Sequence, residues 1–127
     1  MRIELCSVFV ADQEKALRFY TEILGFTKRT DIPIGEYRFL TVASPAGAEG
    51  VELFLEPNAH PAAAAYQKAI HDDGIPATVF FTPDVQGEHE RLKKLGVVFA
   101  TAPTETEHGW QAVFDDTCGN LILLQQR

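Results

Sequence analysis

The chain has 127 residues, a length typical of one domain that buries roughly two thirds of the surface of its unfolded chain. Apolar residues make up 46% of the sequence and charged residues 23%, which excludes a disordered or fibrous chain. Acidic side chains outnumber basic ones by 18 to 11, giving a formal net charge of −7, and no basic stripe is present that could neutralise phosphates. We therefore expect no nucleic-acid partner.

The amino terminus and the cysteine content indicate a cytoplasmic protein. The first four residues, Met-Arg-Ile-Glu, do not lead into the apolar stretch of a signal peptide. The longest uncharged apolar stretch, residues 74–83, is shorter than the roughly 18 to 20 residues of a membrane-spanning helix, so we expect no membrane partner. Two cysteines, Cys6 and Cys118, without a Cys-x-x-Cys spacing suit a reducing compartment.

The first half of the chain predicts a strand, a helix and three further strands. A strand over residues 5–10 leads to Asp12, a residue type that often begins helices, and to apolar residues at helical spacing that end at Gly25. Three strands separated by proline and glycine turns follow, at residues 26–30, 37–43 and 51–56. In the last of them Glu52 and Phe54 alternate with apolar residues that face the other way.

A helix over residues 61–73 precedes a second copy of the same pattern. Residues 77–84 match residues 5–12 at an offset of 72, and a second amphipathic helix ends at Gly96. The remaining strands are expected at residues 97–100, 110–114 and 121–125. The sequence thus predicts one domain built from a first module over about 1–57, a helical linker over about 58–75 and a second module over about 76–127.

These two βαβββ units resemble the vicinal oxygen chelate superfamily, which includes glyoxalase I, bleomycin-resistance proteins and extradiol dioxygenases. The motifs that carry the resemblance are Phe19-Tyr20 on the first helix, Leu-Gly after each module's helix, and the turn of residues 115–120 before the last apolar strand. The resemblance implies an α+β fold in which two tandem βαβββ modules form cupped mixed sheets around a cavity. It also implies a homodimer, with the modules paired either within or between chains.

In metal-dependent members of that superfamily, four metal ligands come from fixed strand positions. By the resemblance, these positions fall on Leu5, Glu52, Ala77 and Leu123. Three of the four side chains have no donor atom, and one carboxylate cannot supply the three or four protein ligands of a catalytic metal site. We therefore expect no metal ligands and no cofactor. The alternative is a non-standard divalent-metal site that combines Glu52 with His60 or His108.

Neighbouring side chains on the same strand faces predict a mostly apolar cavity. By alternation, Leu121 and Gln125 share a face with Leu123. The candidate ligand-binding residues are Leu5, Ser7, Phe9, Tyr37, Phe54, Ala77, Val79, Phe81, Trp110 and Leu123. This composition suits a small, partly aromatic molecule that stacks on the aromatic rings. The alternative is that these side chains are simply core residues.

Glu52 is the candidate catalytic residue, because a carboxylate on the wall of an apolar cup suits a general base. The alternative for Glu52 is a solvated side chain or an ion pair with Arg38 on a nearby strand. Cys118 is expected in a turn, and Cys6 is expected in the core on the helix side of its strand.

Three functions follow from these residues. The leading one is the binding or sequestering of a small organic molecule, for which bleomycin-resistance proteins are the family precedent. The alternative is a lyase, isomerase or dioxygenase that uses Glu52 as general base or as part of a non-standard metal site. A third interpretation is an interaction module whose cup is filled by its own side chains.

Overall fold

A computed structural model describes all residues, 1–127, and divides the chain into two compact units, Met1–Ala64 and Ala65–Arg127. Three helices and eight strands alternate in the α+β pattern that the sequence predicts. In chain order the elements are β1 (Leu5–Val10), α1 (Gln13–Arg18), β2 (Thr27–Ile34), β3 (Tyr37–Ala43), β4 (Glu52–Pro57), α2 (Pro61–Asp72), β5 (Thr78–Thr82), α3 (Val85–Lys94), β6 (Phe99–Thr106), β7 (Gly109–Asp115) and β8 (Leu121–Gln126). No helix has the length and apolar character needed to cross a bilayer.

Each unit contains one mixed four-stranded sheet. The strand order is β1-β4-β3-β2 in the first unit and β5-β8-β7-β6 in the second. In both units the first and last strands in sequence pair in parallel, and the other neighbours pair antiparallel. The fold class that the repeat predicted, two tandem βαβββ modules, is therefore confirmed.

The helices α1 and α3 begin alike, as the repeat predicted. Asp12 is extended, and its carboxylate accepts a hydrogen bond from the backbone N–H of Lys15 at 3.0 Å. Asp84 accepts in the same way from Gly87 at 2.9 Å. Both are N-caps, which satisfy a backbone donor that has no partner within the helix. Beyond α1 the helix widens into a π-helical turn, Phe19–Ile23, that periodicity did not reveal.

The first sheet has one covered and one open face. α1 packs against β3 and β4, and the buried side chains on its side include Val8, Val10 and Leu55. Cys6 shares this side by alternation, but it is exposed. The predicted core position of Cys6 is therefore wrong, because burial along β1 begins only at Val8.

The second sheet is covered on one face by α3, which packs against β6, β7 and β8. Ala112, Phe114, Ile122 and Leu124 form the buried rows on that side. Since successive strand residues point to opposite faces, the odd-numbered residues of β7 and β8 lie on the open face.

The pairing registers of the two units differ by two residues. Leu5 lies directly opposite Glu52 in the first unit. Leu123, which the sequence repeat equates with Glu52, lies opposite Val79 rather than opposite Ala77. A shift of two residues keeps every side chain on its face, so alternation could not detect it.

Candidate functional site

The open face of the first sheet brings polar and aromatic side chains together around Glu52. Leu5 lies opposite Glu52, and two residues further along both strands Ser7 lies opposite Phe54, on the same face. Thr41 of β3 also lies opposite Phe54, which places it on the same face. Five of the strand residues predicted to line a cavity therefore share this face: Leu5, Ser7, Phe9, Tyr37 and Phe54.

Two threonine hydroxyls hold one oxygen of Glu52. The Thr41 hydroxyl accepts the backbone N–H of Thr30 at 3.1 Å and donates its own proton to Glu52 Oε1. The Thr30 hydroxyl donates to the same oxygen at 3.3 Å. Thr41 is completely buried and Glu52 half-buried, so this arrangement fixes the carboxylate. Oε2 makes no hydrogen bond or ion pair within the protein.

Aromatic rings adjoin this carboxylate. The rings of Phe39 and Phe54 lie 4.9 Å apart between centroids, at an interplanar angle of 45°. Tyr37 lies two residues before Phe39 on β3, on the same face, and is 44% exposed. Phe39 and Phe54 are half-buried. Accessible aromatic rings beside a fixed acceptor can stack on a planar ligand and orient its polar edge.

The ion pair between Glu52 and Arg38 that the sequence left open does not form. Arg38 lies on the helix side of β3, where its guanidinium binds Asp31 at 2.7 Å and Glu14 at 2.6 Å. Hydrogen bonds to these carboxylates, Asp31 first, raise the pKa of Arg38. The Arg38–Asp31 hydrogen bond also holds the pKa of Asp31 below its ordinary value.

The open face of the second sheet has a different composition. Val79 and Phe81 are exposed there, and the Arg127 guanidinium lies 4.2 Å from the centroid of the Phe81 ring. Gln125 is buried and accepts a hydrogen bond from the Gln111 amide at 2.5 Å. This face therefore presents an internally paired amide where the first presents a carboxylate.

Two further predicted site residues in the second unit, Trp110 and Ala77, lie on β7 and just before β5. Trp110 alternates with Gln111 on β7, so it lies on the face of Ala112 and Phe114 and not on the open face. Ala77 precedes β5, and its backbone N–H donates to the Leu121 carbonyl at 2.8 Å. Trp110 therefore lies on the opposite face of the second sheet from Val79 and Phe81, because a strand offers only every second residue to one face. Its role in ligand binding stays a prediction.

A buried network shapes the turn before β8. Asp116 is completely buried, and its Oδ1 accepts the backbone N–H groups of Cys118 at 2.8 Å and Asn120 at 3.0 Å. Its Oδ2 accepts the Asn120 amide at 2.8 Å. Gln67 of α2 donates to the Cys118 carbonyl and to the Asn120 side chain. Cys118 lies in this turn as expected, and the network buries it.

The residues at the family's metal-ligand positions do not fit a metal ion. Leu5, Ala77 and Leu123 carry no donor atom, and no group of three His, Cys, Asp or Glu side chains that could hold a metal is present. His60 accepts the backbone N–H of Ala62 at the start of α2, and His108 is an exposed hairpin residue beside Glu107. Both therefore have local structural contacts.

Local sequence patterns do not reveal the residues that position Glu52. They place Thr30, Phe39 and Thr41 only within strands, since the relation of these residues to Glu52 depends on pairing register. The only available signal was alternation along the strand, which places Phe39 and Thr41 on the same face as Tyr37.

The tandem strand order defines a class of protein built from paired βαβββ units, and comparison with known proteins gives the family. The model of the Glyoxalase/Bleomycin resistance protein/Dioxygenase superfamily matches residues 2–124. The chain belongs to this superfamily. The Bacillus subtilis (strain 168) protein YurT, described as uncharacterized, is 54% identical over 127 residues, covering 100% of both chains.

Solved structures show the same fold. The crystal structure of UcmS2 has a TM-score of 0.83 and 35% identity, covering 98% of this chain and 97% of that chain. The structure of TnmS3, an antibiotic binding protein from Streptomyces sp. CB03234, has a TM-score of 0.78 and 33% identity over 99% of this chain and 95% of that chain. One of these similar structures is thus that of an antibiotic binding protein.

Proposed function

We propose that the protein binds or sequesters a small, partly aromatic organic molecule on the open face of its first sheet. The observation that carries this proposal is the juxtaposition of the Phe39 and Phe54 rings with a carboxylate that has one oxygen held and one oxygen unpaired. The rings offer stacking surface, and Glu52 Oε2 accepts a hydrogen bond from the ligand. The antibiotic-binding neighbour TnmS3 supports the proposal.

Three of the four side chains at the family's metal-ligand positions carry no donor atom, which favours binding over metal-assisted catalysis. A carboxylate without partner ligands cannot hold a catalytic ion, but it can serve as a polar anchor in an apolar site. We further propose, from the family resemblance, a cytoplasmic homodimer. Sedimentation equilibrium would measure its stoichiometry.

Calorimetric titration with 2-naphthol tests the proposed function. This bicyclic probe has a hydroxyl donor, and we expect a dissociation constant on the order of 100 μM, from about −0.5 kcal/mol for each heavy atom. Phe54→Ala should weaken binding at least tenfold, because it removes one stacking surface. Phe99→Ala, which truncates a ring packed against His89 in the second unit, is the matched control and should leave affinity unchanged. Equal affinities for wild type and Phe54→Ala would contradict the proposal.

A further inference from the structure

A groove in the first unit adjoins Glu52 and carries a cationic side chain, Arg29, that the face formed by Phe39 and Phe54 (the aromatic face) lacks. It lies between β2 and the hairpin that joins β3 to β4, and its volume is about 480 Å³. This volume is within the range of small-molecule sites. Its polar side chains come from Arg29, Ser44, Glu49 and Glu52. Glu52 therefore belongs to both the groove and the aromatic face.

The charged groups of the groove are not neutralised by one another. Arg29 is exposed and makes no ion pair, although Glu49 and Glu52 line the same groove. Glu52 is already fixed through Oε1 by the two threonines, so it cannot turn freely towards a cation. The residues that line the groove therefore include a guanidinium and a carboxylate that do not pair with each other.

We propose that this groove is a second subsite, continuous with the aromatic face through Glu52. Its ligand is an aromatic molecule that bears both an anionic group and a hydrogen-bond donor. The anionic group binds the Arg29 guanidinium, and the donor binds Glu52 Oε2. This inference rests on the proposed function, because the aromatic part of the ligand occupies the face formed by Phe39 and Phe54.

The chemistry of the two side chains supports these assignments. A guanidinium presents a planar fork of donors that matches a carboxylate, and such charge-assisted hydrogen bonds are roughly twice as strong as neutral ones. The carboxylate of Glu52 only accepts, so it selects a donor and repels a second anion. Because the whole chain carries a net charge of −7, long-range electrostatics oppose anion binding, and a preference for an anionic ligand must come from Arg29 locally.

Three matched probes separate these contributions in calorimetric titrations at pH 7. 6-Hydroxy-2-naphthoate carries both groups, 2-naphthol lacks the carboxylate, and 2-naphthoate lacks the hydroxyl. We expect 6-hydroxy-2-naphthoate to bind at least tenfold more tightly than either of the other probes. Raising the salt concentration should reduce its advantage over 2-naphthol.

Two variants assign the recognition points. Arg29→Gln should bring the affinity for 6-hydroxy-2-naphthoate to within about twofold of that for 2-naphthol, and leave 2-naphthol itself unchanged. Glu52→Gln should weaken 2-naphthol about threefold and leave 2-naphthoate unweakened, because the amide oxygen takes the place of Oε1 and an NH₂ group replaces the accepting Oε2. The control is Lys94→Gln, at an exposed residue of α3 in the second unit. It removes the same charge as Arg29→Gln and should leave the affinity for each probe unchanged.

The outcomes distinguish the inference from the proposed function. If all three probes bind equally and Phe54→Ala weakens them all, the second subsite is wrong and the aromatic site stands. If none of the probes binds, both are wrong. Equal losses for Arg29→Gln and Lys94→Gln would show a general charge effect and would also overturn the inference.

Discussion

The two units share a strand order, but a partly or fully buried carboxylate has a different role in each. In the second unit Asp116 is completely buried, and both of its oxygens accept hydrogen bonds from the turn that it shapes. In the first unit Glu52 is half-buried on an open sheet face, with Oε1 held and Oε2 unpaired. A saturated carboxylate therefore stabilises the fold, whereas a fixed but unsaturated one is available to a ligand.

The largest effect on stability is expected for Asp116→Ala. The substitution removes the acceptor of three buried hydrogen bonds, so the free energy of unfolding should fall by about 3 kcal/mol. Urea unfolding followed by circular dichroism measures this loss. The control Asp73→Ala, at an exposed residue after α2, should change stability by less than about 0.5 kcal/mol. A similarly small change for Asp116→Ala would remove the distinction between the two carboxylates.

Gln13→Ala should show that saturated polar groups also stabilise the first unit. The Gln13 amide donates to the carbonyls of Arg38 and Leu55 and accepts the Arg38 backbone N–H, which ties α1 to β3 and β4. We expect a loss of about 2 kcal/mol in the free energy of unfolding. The matched control is Gln86→Ala, at an exposed position in the first turn of α3, and its expected loss is negligible.

Thr41→Val separates the positioning of Glu52 from its charge. The substitution keeps the side-chain shape but removes the hydroxyl that donates to Oε1 and accepts the Thr30 backbone N–H. Stability should therefore fall by about 1 to 2 kcal/mol and 2-naphthol affinity about threefold. Thr41→Ser restores the hydroxyl and should rescue the affinity. Calorimetric titration of both variants provides the measurement, and a loss of affinity that serine does not rescue would contradict a positioning role.

The smallest effect is expected from the exposed ion pair on the helix side of the first sheet. The hydrogen bond from Arg38 lowers the pKa of Asp31, so this carboxylate stabilises the fold above its unfolded-state pKa and loses that contribution as the pH falls through its folded-state pKa. Arg38→Gln should therefore lower the melting temperature slightly at pH 7, and the difference from wild type should shrink below about pH 4. A difference that grows on acidification would have the wrong sign.

Much of the fold could be predicted because its signals are local. Aspartates at helix starts and alternation along strands depend on neighbouring residues, so Asp12, Asp84 and the shared face of Leu5 and Ser7 were accessible from sequence. The repeat then supplied the tandem order of the elements.

The candidate site was only partly predictable, because its contacts join distant parts of the chain. Register decides that Thr41, and not Arg38, faces Glu52, and sequence alone does not set that register. Burial of Cys118 likewise depends on the hydrogen bonds of Asp116 and on Gln67, far away in sequence. The open-face location of Glu52 was therefore predictable, whereas the threonines that hold it were not.

The most direct test of ligand binding at the first sheet is a titration of ¹⁵N-labelled protein with 2-naphthol, followed by amide chemical shifts. We predict saturable shifts at Phe39, Thr41, Glu52 and Phe54, with the amides of β5 and β8 unchanged. Saturable shifts centred on Val79 and Phe81, or no saturable shifts in the first unit, would contradict the assignment of the binding site to Glu52 and its aromatic neighbours.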